Sequence, residues 1–268
     1  MRTRAANPRM GSVGRSALLG ALAWSALAAV LVTGAASAGA APRAGAAAAA
    51  SAAANAEVVD LLVQLLAAGS SSDRTLAALG ALAKIGAGEK VSDPRVLELL
   101  ALYTGHRRPE IRREAVSALA ATADARAIPP LIERLGDDNA EVRAAAADAL
   151  AARKEVRAVP RLVRLVRRGD PRAAAPAGQL ATPEAVAELC GMQGAAKEDV
   201  LAVALGTYVK RADISDGTRI EPLRTIAKLH GVEATAALAD YLASIPARDE
   251  RPSKREAERL LDERGADR

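Results

Sequence analysis

The chain has 268 residues, half of them apolar, yet it contains no phenylalanine, one tryptophan and three tyrosines. This composition excludes a core built on large aromatic side chains and favours closely packed helices, because alanine has the highest helix propensity and lets backbones approach. The formal charge of +5 does not indicate nucleic-acid binding, since the first forty residues hold four arginines and no acid, leaving the rest nearly neutral with few aromatics for base stacking.

Residues 1–40 have the layout of a secretory signal peptide. A basic stretch is followed by an apolar segment, Leu18 to Val32, of about fifteen residues, which is short for a bilayer-spanning helix of roughly 20. Small residues at Ala36-Ser37-Ala38 then fit a cleavage point. We therefore expect a periplasmic or secreted bacterial protein, with an uncleaved anchor in the inner membrane as the alternative. Residues 41–56 are alanine-rich and predict a linker.

A helical repeat domain is predicted over residues 57–245, and two of its repeats, 109–139 and 140–170, match at an offset of 31. Each contains two amphipathic helical patterns separated by breakers. One such hairpin leaves its apolar seam exposed on both sides, and stacking on neighbours covers it. The predicted fold is all-α, an α-solenoid (α-α superhelix) of stacked helix hairpins. Residues 246–268 predict a charged tail with a marginal helix.

Basic residues concentrate on the second helix of the repeat 140–170. The spacing i, i+4, i+7 and i+11 places four arginines on one side of that helix, opposite its apolar residues. Arginine is well suited to binding carboxylates and phosphates. The pattern predicts either a solvated arginine face or a positive patch that docks an acidic protein segment or anionic surface groups. The four residues are Arg157, Arg161, Arg164 and Arg168.

No motif predicts catalysis, a cofactor or a metal. Cys190 lies at apolar helical spacing, which favours a buried structural thiol over a nucleophile. His106 lies in a loop and His230 at a helix end, and neither belongs to a metal-ligand pattern. The sequence therefore predicts a non-enzymatic protein.

The repeats resemble HEAT-like repeats, especially the short type of phycobilin-lyase proteins. The residues that carry this resemblance are Val142, Arg143, Ala146, Ala149, Leu150, Val159, Pro160 and Leu162, with Ile111-Arg112 and Ile128-Pro129-Pro130-Leu131 one repeat earlier. The resemblance implies a solenoid whose second helices line a concave surface. It also implies that the arginine after the first-helix valine links to acids between repeats. That role would fall to Arg112 and Arg143, with Asp137 or Asp138 as partners.

The leading functional hypothesis is an exported scaffold for protein–protein interaction. One alternative is an accessory or lyase-like subunit of an enzyme system, although the resemblance supplies no lyase site. Another is a surface protein tethered to the membrane by an uncleaved amino-terminal segment. No nucleic-acid partner is expected.

Overall fold

The computed structural model describes residues 57–66, 71–88 and 94–266, and all regular secondary structure in these ranges is helical. The predicted signal peptide and linker lie outside the described residues. No helix in these ranges is long and apolar enough to cross a bilayer. The thirteen helices that they contain are α1 (57–66), α2 (Ser72–Gly88), α3 (Pro94–Tyr103), α4 (Pro109–Ala121), α5 (Ile128–Arg134), α6 (Ala140–Ala152), α7 (Val159–Arg167), α8 (Ala174–Leu180), α9 (Pro183–Cys190), α10 (Glu198–Val209), α11 (Gly217–Lys228), α12 (Val232–Ala243) and α13 (Pro252–Ala266).

The helices form two layers. In the first layer α2, α4, α6, α8, α10 and α12 pack on one another in that order. The odd-numbered helices form the second layer, in which α7, α9, α11 and α13 contact one another in turn. Consecutive helices alternate between the layers, so each repeat is one first-layer helix followed by one second-layer helix: α2 and α3, α4 and α5, and so on to α12 and α13. The predicted all-α fold of stacked helix hairpins is confirmed.

Local sequence sets where the helices of the central repeats begin and end. Asn139 caps α6, since its side-chain oxygen accepts hydrogen bonds from the backbone N–H groups of Glu141 and Val142 at 2.9 and 3.2 Å. Pro160 lies in the first turn of α7, where its missing N–H costs nothing. Gly169 ends the turn after α7 with a φ of +76°, a conformation that favours glycine.

The interior is made of alanine and leucine, as the composition requires. Ala115 and Leu119 of α4 and Ala146 and Leu150 of α6 are all completely buried. Small residues let the first-layer helices approach very closely farther along the chain. A Cβ atom built on Gly178 of α8 would lie only 2.1 Å from the Ala204 carbonyl oxygen of α10.

The domain continues past Ile245, where the sequence predicted a charged tail. Helix α13 packs on α11 and α12 as the second helix of the last repeat, with Ala257 and Leu260 buried. At the start of α13 the Ser253 hydroxyl is buried and lies 2.5 Å from the Tyr241 hydroxyl. The hydroxyl and the backbone N–H of Ser253 both donate hydrogen bonds to the Asp216 carboxylate. Five of the charged residues that suggested a tail are exposed on this helix: Arg255, Glu258, Arg259, Asp262 and Glu263.

Candidate functional site

Arg112 ties together the loops on either side of its repeat. Its Nε and Nη2 donate to the two carboxylate oxygens of Asp137 at 2.8 and 2.6 Å, while its Nη1 donates to the carbonyls of His106 and Arg107 at 3.0 and 3.3 Å. Burial disfavours the Asp137 charge. The bonds from Arg112 and from the backbone N–H of Asn139 outweigh that effect and hold the pKa of Asp137 below its ordinary value.

Arg143 repeats this arrangement one repeat later. Its Nη1 donates to the carbonyls of Asp137 and Asp138 at 2.9 and 3.1 Å, and its Nε donates to the Asp170 carboxylate at 2.7 Å. The two arginines therefore join three consecutive inter-repeat loops, and we call Arg112, Asp137, Arg143 and Asp170 the arginine ladder. The structure thus gives Asp137 and Asp170 as the carboxylates, whereas Asp138 contributes only its backbone carbonyl.

The four arginines of the predicted patch divide into two pairs. Arg157 binds its own neighbour Glu155, with Nε 2.7 Å from the carboxylate, and the Arg161 Nη1 donates to the Ile132 carbonyl at the end of α5 at 3.0 Å. Arg164 and Arg168 are exposed. Within the described ranges neither has a carboxylate at ion-pair distance. The patch that is free to bind a partner is therefore half as long as the sequence predicted.

Two further arginines near α7 are also paired with acids. Arg167 pairs with Glu188 at 2.6 Å and Arg172 with Glu141 at 2.5 Å. Both acids lie outside the basic stretch, so the local sequence did not reveal them. The positive charge available on this surface is consequently smaller than residue counting indicates.

A recurring contact that the sequence did not reveal is an arginine that caps a helix end in the preceding repeat. The last carbonyls of a helix lack intrahelical partners and carry partial negative charge, which a guanidinium satisfies. These arginines donate to backbone carbonyls, which every residue type has, so the sequence does not reveal the contact. We call these residues the arginine caps: Arg134 on Thr104, Arg153 on Leu119 and Ala120, Arg161 on Ile132, Arg211 on Ala181, and Arg264 on Ala227 and Leu229.

A cleft of about 500 Å³ opens between two inter-repeat loops, residues 135–140 and 165–172. It brings together one free arginine of the patch, Arg168, and members of the arginine ladder. Asp138 lines it as well and is exposed. Arg157, Arg161 and Arg164 are not part of this cleft. The geometry offers charged and apolar groups for recognition.

The residues with catalytic potential, Cys190, His106 and His230, do not line this cleft. Burial raises the pKa of the half-buried Cys190 thiol above its ordinary value, which disfavours the nucleophilic thiolate. His230 binds Glu198, with Nδ1 3.2 Å from the carboxylate, and the His106 Nδ1 accepts the Arg108 backbone N–H at 3.1 Å. In the part of the chain that the structure describes, no three potential metal ligands cluster.

Comparison with known proteins assigns a repeat region. Residues 96–181 match the family described as HEAT repeats, so the chain contains a HEAT-repeat region. This match spans α3 to α8 and includes the arginine ladder and the cleft. None of the curated proteins matches the sequence significantly.

Several solved structures share the helical architecture at low identity. The complex of CpcE and CpcF of phycocyanin lyase from Nostoc sp. PCC7120 is 19% identical, with a TM-score of 0.45 over 76% of this chain and 94% of that chain. An engineered protein is 20% identical, with a TM-score of 0.39 over 78% and 96%. Kap95p, in its structure with RanGDP, is 14% identical, with a TM-score of 0.35 over 76% and 30%. These likenesses concern helical architecture and extend to no ligand or activity.

Proposed function

We propose that this chain is a non-enzymatic scaffold that binds another protein through the exposed side of α7. The observation that carries the proposal is that Arg164 and Arg168 are exposed and have no ion-pair partner among the described residues. Around them the arginines are engaged in the ladder, in caps or in surface ion pairs, whereas these two are exposed one helical turn apart without a carboxylate. A repeat scaffold presents such an extended surface for contact, and arginine is enriched at protein interfaces.

The environment of the reactive side chains supports a binding role over an enzymatic one. Catalysis by Cys190 would need a lowered thiol pKa and an adjacent base. Its pKa is raised by burial, and the nearest hydrogen-bond partner that affects it is Thr225. The His230 side chain is held by Glu198.

We also propose that the protein is exported and acts outside the cytoplasm. This rests on the sequence of residues 1–40, a basic stretch, an apolar segment and small residues in that order. Amino-terminal sequencing of the protein purified from the bacterial envelope tests the proposal. A mature protein that begins near residue 40 is expected, and a chain that still begins at Met1 contradicts cleavage and favours the membrane-anchored alternative.

Affinity capture from the envelope, followed by mass spectrometry, tests the scaffold proposal. The test variant is Arg164→Glu/Arg168→Glu, and the matched control is Arg248→Glu/Arg255→Glu, which reverses two exposed, unpaired arginines elsewhere. We expect one protein to be recovered by the wild type and by the control but lost with the test variant. Equal recovery by all three proteins would refute a role for the α7 surface.

A further inference from the structure

The cleft between residues 135–140 and 165–172 has the size and composition of a recognition site. Its volume of about 500 Å³ is within the range of ligand pockets. Apolar groups from Leu135, Ala140, Leu165 and Pro171 form part of its lining. It can take a few residues of an extended peptide but is too small for a folded surface.

The charged residues of the cleft are mostly neutralised within the protein. Asp137 binds Arg112, Arg143 binds Asp170, and Arg172 binds Glu141, which itself lies outside the lining. Two opposite charges are left over.

Arg168 and Asp138 line the same cleft, both are exposed, and they form no ion pair with each other. In the described part of the chain neither has another ion-pair partner. An unpaired cation and an unpaired carboxylate on the walls of one cleft can bind a ligand that carries both signs of charge.

Arg164 extends the positive side of this cleft. It lies one helical turn before Arg168 on α7 and is likewise exposed and unpaired. A ligand that fills the cleft and continues along α7 therefore meets a second arginine outside it. This arrangement suits a chain longer than a single small molecule.

We propose that the cleft and Arg164 form a docking site for an extended segment of a partner protein in which acidic residues are joined to a basic residue. Carboxylates of the segment pair with Arg168 and Arg164, since guanidinium matches carboxylate geometry. Asp138 accepts from a lysine or arginine of the segment and so fixes its direction. Nucleic acid offers phosphates but no cationic group to pair with Asp138, which disfavours it as the occupant.

This inference rests on the proposed function but identifies the chemistry of its partner, and a displayed library of random dodecapeptides tests it. The full chain is the bait, beside Arg168→Glu, Asp138→Lys and the matched control Arg255→Glu, all at exposed positions. We expect the wild type and Arg255→Glu to select peptides that contain acidic residues and a basic residue. Peptides selected by Arg168→Glu should lack the acidic residues. Peptides selected by Asp138→Lys should keep the acidic residues and lack only the basic one.

The strongest selected peptide then provides an affinity measurement by fluorescence anisotropy. Arg164→Glu/Arg168→Glu should weaken its binding about tenfold or more, because two attractive pairs become repulsive, and Arg248→Glu/Arg255→Glu should leave binding unchanged. No selected peptide, or equal binding by both double variants, overturns the inference. If no peptide is selected although the envelope partner still requires Arg164 and Arg168, the scaffold proposal stands and the cleft proposal fails. If peptides are selected but no envelope protein is captured, the inference on the chemistry of the cleft stands and the scaffold proposal fails.

Discussion

The contact between α8 and α10 gives the sharpest prediction of stability. A Cβ atom built on Gly178 would lie 2.1 Å from the Ala204 carbonyl oxygen and 2.8 Å from the Thr207 Cβ. Carbon and carbonyl oxygen ordinarily approach to about 3.3 Å. Gly178→Ala therefore forces the two helices apart by about 1 Å at this point, and the opposing atom is backbone, which cannot rotate away.

The size of the effect follows from two opposing terms. Overfilling a packed interior costs about 1–3 kcal/mol, and a backbone clash belongs at the upper end. Replacing glycine by alanine in a helix returns up to about 1 kcal/mol. We expect a net loss of about 2 kcal/mol in the free energy of unfolding, which for a domain of this size lowers the melting temperature by about 4–8 °C.

Urea unfolding followed by far-UV circular dichroism measures this loss. Gly217→Ala is the matched control, because Gly217 is also helical and a Cβ there has nothing within 4 Å. The control should unfold at the wild-type urea concentration or slightly above it. A Gly178→Ala midpoint equal to that of the control would refute the close approach of α8 and α10.

Three further predictions concern the polar contacts. Asp137→Ala should lower the free energy of unfolding by about 3 kcal/mol in urea titrations, since it leaves a partly buried arginine without its carboxylate. Hydrogen bonds from Arg259 and Arg224 lower the pKa of Glu256 to about 2. The contribution of Glu256 to the free energy of unfolding is therefore fully present above its ordinary pKa of 4.5 and is lost as the pH falls toward 2. In Arg224→Gln, an NMR titration of the side-chain carboxyl should show a higher pKa for Glu256. Ser253→Ala should cost about 1–3 kcal/mol, because buried polar partners lose their hydrogen bonds, and hydrogen exchange should show weaker protection of α13.

Each of these has a control and a contradicting result. Asp138→Ala removes an exposed carboxylate without an ion pair and should be nearly neutral, so equal losses at Asp137 and Asp138 would contradict the ladder. A Glu256 pKa near 4.5 in the wild type would contradict its contact with α11. Ser117→Ala changes an exposed helical serine, and α13 protection equal in this variant and in Ser253→Ala would contradict the docking of α13.

The sequence predicted the fold because hydrophobic spacing alone decides which helix faces must be covered. It was less successful with the register of the loops. The offset of 31 places Asp170 opposite Asn139, whereas the structure makes Asp170 the counterpart of Asp137, which is 33 residues away. The cause is the length of α7, nine residues against seven in α5. Apolar positions before this point keep the shorter offset, so comparison of the core did not reveal the shift.

The candidate site could be predicted only in part, because side-chain partners come from other repeats. The spacing of Arg157, Arg161, Arg164 and Arg168 does place them on α7 or just before and after it. Whether an arginine on that helix is free depends on atoms about 30 residues away, such as the Ile132 carbonyl that accepts from Arg161. Backbone acceptors have no sequence pattern, so only coordinates distinguish Arg161 from the two free arginines, whereas Glu155, the partner of Arg157, lies two residues before it.

The arginine caps all point the same way along the chain, from a later repeat to an earlier one. During synthesis the carbonyls that end one hairpin therefore wait for a guanidinium that leaves the ribosome about thirty residues afterwards. A hairpin at the growing end stays incomplete until its successor emerges. Among the described residues helix α13 supplies the last of these guanidinium groups, so the docking of α13 also completes the repeat before it.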